Sequence, residues 1–264
     1  MTLVLESILK RDRWVVAAAL LMVSLLAWVW LLSGAGMGMD VFEITRHSRM
    51  DMDIMDMPVW TMGYTVLMFF MWWIMMVAMM LPSAAPTILL AAELNRRSTA
   101  EKPPFGPTSL FAAGYLLVWA GFSIIAVAAQ WWMQQNGWLN NMLVGQSQII
   151  NGLLLLSAGL WQFSPWNYAC LKHCKSPVEF LTTQRREGKS GALQMGLKHG
   201  GYCLGCCWFL MTLLFVGGVM NLFWIIGLTI YVWVEKILPG GELISRLMGG
   251  LLAIWGFGLL TGLI

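Results

Sequence analysis

Seven stretches of the chain read as long apolar runs between short polar connections. They cover roughly 14–33, 61–83, 108–131, 149–164, 201–218, 221–236 and 245–263. An α-helix rises about 1.5 Å per residue, so roughly 20 apolar residues cross the hydrocarbon of a bilayer. The fourth and sixth runs are shorter, and only "GGVMN" parts the fifth from the sixth. Six spans with a broken or re-entrant segment around 201–236 is therefore an alternative, allowed where protein or water covers the irregular backbone. The expected fold is all-α, a single polytopic membrane domain over residues 1–264 with about seven transmembrane helices. Pro82 and Pro86 are expected to bend or end the second helix.

The polar connections orient this bundle. With the N-terminus in the cytoplasm, Lys10, Arg11, Arg13, Arg96, Arg97, Lys102, Lys172, Lys175, Arg185, Arg186, Lys189, Lys198, Lys236 and Arg246 fall inside. Only Arg46 and Arg49 fall outside, so the vote is fourteen to two. Basic residues collect on the cytoplasmic side of membrane proteins. The outer loop 34–60 is rich in Met, and the inner segment 165–200 reads as a Cys/His loop. The first run is too long for a signal peptide's apolar region and no Ala-x-Ala site follows it, so it reads as a retained span.

Composition agrees. Hydrophobic residues make up 59% of the chain and charged ones 11%, against about 25% charged in a soluble domain. Sixteen Trp suit an interfacial aromatic belt. A net charge of +3 gives no argument for nucleic acid. No Gly-rich phosphate loop is present, which argues against an ATP-driven pump.

Two sets of soft ligands carry the chemistry. Met68, Met71, Met75 and Met79 step by three and four along the second span, and Met76 and Met80 form a second pair. Such spacing places them on helix faces as a stripe. Met fills irregular cores well, and thioethers also bind Cu(I). The outer loop adds Met37, Met39, Met50, Met52, Met55 and Met57 among Asp40, Asp51, Asp53, Asp56 and His47, a composition suited to collecting copper. On the inner side, "ACLKHCKSP" holds Cys170, His173 and Cys174, and "HGGYCLGCCW" holds His199, Cys203, Cys206 and Cys207. Both Cys pairs at i, i+4 share a helix face, and cytosolic thiols stay reduced. A soft-metal or redox site follows from this clustering. Polar residues in apolar runs are read as functional; Glu235 and Lys236 are read as an interfacial pair.

Three motifs, "MVAMMLPSAAP" (76–86), "GLWQFSPWNYACLKHCKSP" (159–177) and "GGYCLGCCWFLMTLLFVGGVMNLFWIIGLTIYVWVEK" (200–236), resemble a bacterial family of predicted metal-binding integral membrane proteins, a domain of unknown function. The resemblance covers roughly residues 60–264. It implies Met79, Met80, Cys170, Cys174, Cys203, Cys206 and Cys207 as motif positions. Family members often carry a basic residue where this chain has Asn167.

The expected function is binding of a soft metal, Cu(I), in copper transport or delivery at the bacterial inner (cytoplasmic) membrane. The candidate ligands are Cys170, His173, Cys174, His199, Cys203, Cys206 and Cys207 with Met75, Met76, Met79 and Met80, and copper is the expected metal. The lipid bilayer and a periplasmic or membrane copper protein are the expected partners, with a homo- or hetero-oligomer open. Alternative readings are a membrane thiol/quinone oxidoreductase, which would be an enzyme, and an accessory subunit of a copper-containing membrane oxidase.

Overall fold

The computed structural model describes residues 2–37, 41–49, 59–98, 105–140, 143–184, 186 and 188–263. Among them are eleven helices, no strand, and one isolated bridge between Leu139 and Gly145. The long helices are α1 (Thr2–Leu32), α3 (Met62–Ser98), α4 (Phe105–Gln135), α5 (Gln148–Gln162), α8 (Gly188–Thr212), α10 (Leu222–Ile237) and α11 (Gly241–Thr261). Short helices α2 (Val41–Arg49), α6 (Pro165–Lys175), α7 (Pro177–Thr183) and α9 (Leu214–Gly217) fill the connections.

The seven long helices run alternately between two ends. At one end Gly145 N–H donates to the Phe215 carbonyl (2.9 Å) and Val219 N–H to Leu143 (3.1 Å). There too Leu222 N–H donates to Thr45 Oγ1 on α2 (3.0 Å), which caps the start of α10. At the other end Lys175 Nζ donates to the Leu238 carbonyl (2.9 Å), tying α6 to the turn after α10.

Five segments are long and apolar enough to cross a membrane: Arg13–Leu32, Met62–Arg96, Phe105–Gln135, Gly188–Gly217 and Gly241–Thr261. The last turn of the fourth is α9, set off from α8 at Leu213. Helices α5 and α10 have 15 and 16 residues, about 22 and 24 Å, less than a full hydrocarbon thickness. The seven-run pattern thus corresponds to seven helices of which five have spanning length. Within 201–236 the helix is interrupted at Leu213, and a four-residue turn at 218–221 leads into the short α10.

Two expectations are corrected. Pro82 and Pro86 do not end the second helix; α3 runs through both. Pro82 has no N–H for the Ala78 carbonyl, and Trp28 Nε1 on α1 donates to that carbonyl instead (3.1 Å). The segment 165–200 is not a loop but α6, α7 and the first half of α8. Both short helices open with Ser–Pro, and the Ser164 hydroxyl accepts from Trp166 N–H (3.2 Å). Ser at the N-cap and Pro at the first helical position favour such starts.

Close backbone packing sets the frame. Helices α5 and α11 meet at two glycine pairs spaced seven residues apart. A Cβ at Gly159 would stand 2.6 Å from the Gly249 carbonyl oxygen, and one at Gly249 2.9 Å from that of Gly159. Gly152 and Gly256 repeat this at 3.0 and 2.7 Å. Gly196 and Gly114 bring α8 equally close to α4, with Gly196 against the Phe111 carbonyl. Small residues permit such approach in apolar surroundings. Gly159→Val is expected to destabilise the chain by about 1–3 kcal/mol through overpacking. Gly250→Val, whose Cβ has only Phe163 at 4.0 Å, is the control. Thermal unfolding in detergent is expected to separate the two.

Candidate metal centre

Because α8 begins at Gly188, Cys203 lies fifteen residues inside it, about 22 Å from its start. The thiols therefore sit mid-helix rather than where a span begins. The helix extends back because its glycines let residues 188–200 dock on α4. Cys203, Cys206 and Cys207 are buried. The Cys206 and Cys207 thiols donate to the Cys203 carbonyl at 3.1 and 2.8 Å.

Helix α6 brings the second pair. Cys174 is partly exposed as a residue, but its thiol turns inward to the sulfurs of Cys203 and Cys206. Those contacts, and then burial, push the Cys174 thiol well above the ordinary thiol range. Cys170 faces the bare backbone of α8, where a Cβ at Gly205 would stand 2.7 Å from its sulfur. Partial burial, with Cys206 nearby, raises the Cys170 thiol. All five cysteines are free.

Three further helices close the chamber with polar groups. Lys236 Nζ on α10, a buried residue, donates to Cys203 Sγ at 2.9 Å and lies 3.4 Å from Ser83 Oγ on α3. The Tyr115 hydroxyl on α4 lies 3.1 Å from Cys203 Sγ and donates to the Met80 carbonyl at 3.1 Å. Ser83 Oγ donates to that same carbonyl (2.8 Å). The sequence points to Lys236 only as half of an interfacial pair and does not point to Tyr115. Tyr115 leaves no local signal, whereas Lys236 was visible as a cation in an apolar run.

Glu235 and Lys236 do not pair. Neighbours on a helix point about 100° apart, and Glu235 accepts from the Tyr231 hydroxyl (3.4 Å) instead. Tyr231 accepts from Gln162 Nε2 (2.8 Å), whose Oε1 accepts from Asn167 Nδ2 (2.7 Å) and Ser245 Oγ (3.1 Å). This buried network joins α5, α6, α10 and α11 beside the chamber.

The remaining expected ligands divide. Met75, Met76, Met79 and Met80 are buried in the core on α3. Met68 Sδ accepts from Gln130 Nε2 (3.4 Å), and Gln130 Oε1 from Trp72 Nε1 (2.8 Å). His199 is buried one turn before Cys203, ringed by Phe111, Tyr115 and Phe180 at 5.9, 5.8 and 5.3 Å, with Nδ1 unpartnered. His173 is not brought in; its ring stacks on Tyr202 at 4.3 Å and Nδ1 bonds the Ala169 carbonyl at 2.8 Å. Met37 packs against the core, but Met39, Met50, Met52, Met55 and Met57 lie outside the described residues. Among the described residues no group of three or more His, Cys, Asp and Glu side chains is arranged to hold a metal ion. The donor set is sulfur, gathered on α6 and α8 and held by its own hydrogen bonds.

A family model described as a copper chaperone, PpoB2, matches residues 69–259. No curated protein and no solved structure matches. The matched segment contains every thiol of the chamber, Tyr115, Lys236 and the inner Met residues.

Burial predicts a reactivity order for the metal-free, reduced protein. In detergent, iodoacetamide is expected to modify Cys170 at least about tenfold faster than Cys203, Cys206 or Cys207. Those three are expected to react only on unfolding, as read by peptide mass spectrometry.

Proposed function

The chain belongs to the PpoB2 copper chaperone family, and we propose that it binds Cu(I) inside a membrane bundle and passes it to a partner copper protein. The observation that carries this reading is the gathering of four cysteines on two helices: buried Cys203, Cys206 and Cys207 on α8, with Cys174 of α6 facing Cys203 and Cys206. Thiolates and thioethers are soft donors that favour Cu(I) over harder ions. Cu(I) is served by two sulfurs, a lower demand than the four ligands of a structural zinc site. Loading replaces a thiol bond to the Cys203 carbonyl with a sulfur–copper bond and releases that thiol's proton. The buried thioethers of Met75, Met76, Met79 and Met80 offer weaker sulfurs along α3. Exchange between strong and weak sites suits a carrier that must also release its cargo.

Placement in the bacterial inner membrane with the N-terminus in the cytoplasm belongs to the same proposal. Five helices of spanning length support it, as does the fourteen-to-two division of basic residues. The two shorter helices α5 and α10 complete seven crossings. The receiving partner would be a periplasmic or membrane copper protein.

Anaerobic loading followed by elemental analysis tests the reading. The purified chain is expected to retain Cu(I) in fixed stoichiometry through desalting. The double variant Cys203→Ser, Cys206→Ser is expected to weaken binding by more than about a hundredfold. Met79→Leu with Met80→Leu, volume-conserving changes that leave the fold intact, is expected to cost less than about tenfold. Equal, near-zero copper in the parent and the Cys variant would overturn it.

A further inference from the structure

We propose that Lys236 is the resident counter-charge of the thiol chamber and sets its preference for a monovalent metal. The proposal rests on the Cu(I) reading above and adds a residue that is not a ligand. Lys236 is 7% exposed, and its ammonium donates to Cys203 Sγ at 2.9 Å. Its second partner is the neutral hydroxyl of Ser83 at 3.4 Å. The adjacent carboxyl of Glu235 is engaged by Tyr231 (3.4 Å), in the network that leads to Gln162, Asn167 and Ser245. The ammonium's closest partner is thus a sulfur of the chamber, and Tyr115 holds the same sulfur from the other side at 3.1 Å.

Charge counting gives this placement a function. Net charge in an apolar interior is costly, so arrangements that sum to zero are favoured. An ammonium beside a Cys203 thiolate sums to zero. Cu(I) on two thiolates carries one negative charge, which the same ammonium cancels. Loading then adds one copper ion, frees one thiol proton to the aqueous phase, and leaves the chamber neutral. A divalent ion on the same two thiolates would leave one positive charge and would need a third thiolate. Without Lys236 the order reverses: the divalent complex on two thiolates is neutral and the Cu(I) complex is not. Glu235 adds no charge to either complex as a buried, protonated carboxyl, with one oxygen bonded to Tyr231 and the other unpartnered.

The test compares affinities for Cu(I) and Zn(II) in the full-length chain in detergent, each by anaerobic competition with a chromophoric chelator. Lys236→Met removes charge and donor, Lys236→Gln keeps an amide donor without charge, and Lys236→Arg keeps the charge. The Cu(I)-to-Zn(II) affinity ratio is expected to fall by at least about tenfold in the Gln and Met variants and to stay within about threefold in the Arg variant. If the Met variant does not fold, the Gln variant carries the test. An unchanged ratio in the uncharged variants overturns the proposal, as does an equal fall in the Arg variant. In either case the Cu(I) reading stands, provided the parent chain binds copper. A parent chain that takes up no Cu(I) overturns both.

Discussion

An ammonium group cannot sit in an apolar interior without a partner that accepts its hydrogen bonds. Lys236 meets this constraint with the sulfur of Cys203 and the hydroxyl of Ser83, so one side chain from α10 fastens α8 to α3. Tyr115 adds α4 through the same sulfur and the Met80 carbonyl. Cys174 of α6 faces Cys203 and Cys206. Lys236 of α10 and Tyr115 of α4 thus meet at the Cys203 sulfur of α8, and α3 joins through Ser83 and the Met80 carbonyl. The surrounding packing keeps water from doing that job. The glycine pairs of α5 with α11 and the close seam of α4 with α8 bring backbones together without side chains between them.

Hydropathy alone located the long helices well, because lipid-length apolar runs leave few alternatives. It misjudged their ends. The polar start of α8, "GKSGALQMGLKHGG", has little apolar signal, and its helicity depends on glycines docking against α4. The helices α6 and α7 were legible in principle from two Ser–Pro starts, but their amphiphilic composition hid them inside an apparent loop. Of the two outcomes open at Pro82, bending or ending, ending is avoided for a tertiary reason, since the donor to the freed carbonyl comes from fifty residues upstream.

The chamber was half legible. Spacing of three and four put Cys203, Cys206 and Cys207 near one another and Cys170 near Cys174. What spacing could not give is the crossing of α6 over α8, which selects Cys174 for the cluster and leaves His173 stacked on Tyr202. Nor could it distinguish a methionine stripe that serves as ligand from one that serves as core, since Met75 through Met80 satisfy both descriptions by being buried. The pairing of Glu235 with Lys236 was the natural guess from adjacency, and helix geometry separates them into two polar systems.

The hydrogen bond from Trp28 to Ala78 also bears on how small the working unit is. The segment matched by the copper chaperone family spans residues 69–259, whereas the indole that serves the carbonyl left open by Pro82 lies at residue 28. The shared segment is therefore not self-contained in this chain: it holds an acceptor two residues before Met80 whose donor belongs to α1. Over Arg13–Leu32 helix α1 shows most of its apolar surface outward, yet its Trp28 serves the backbone of α3.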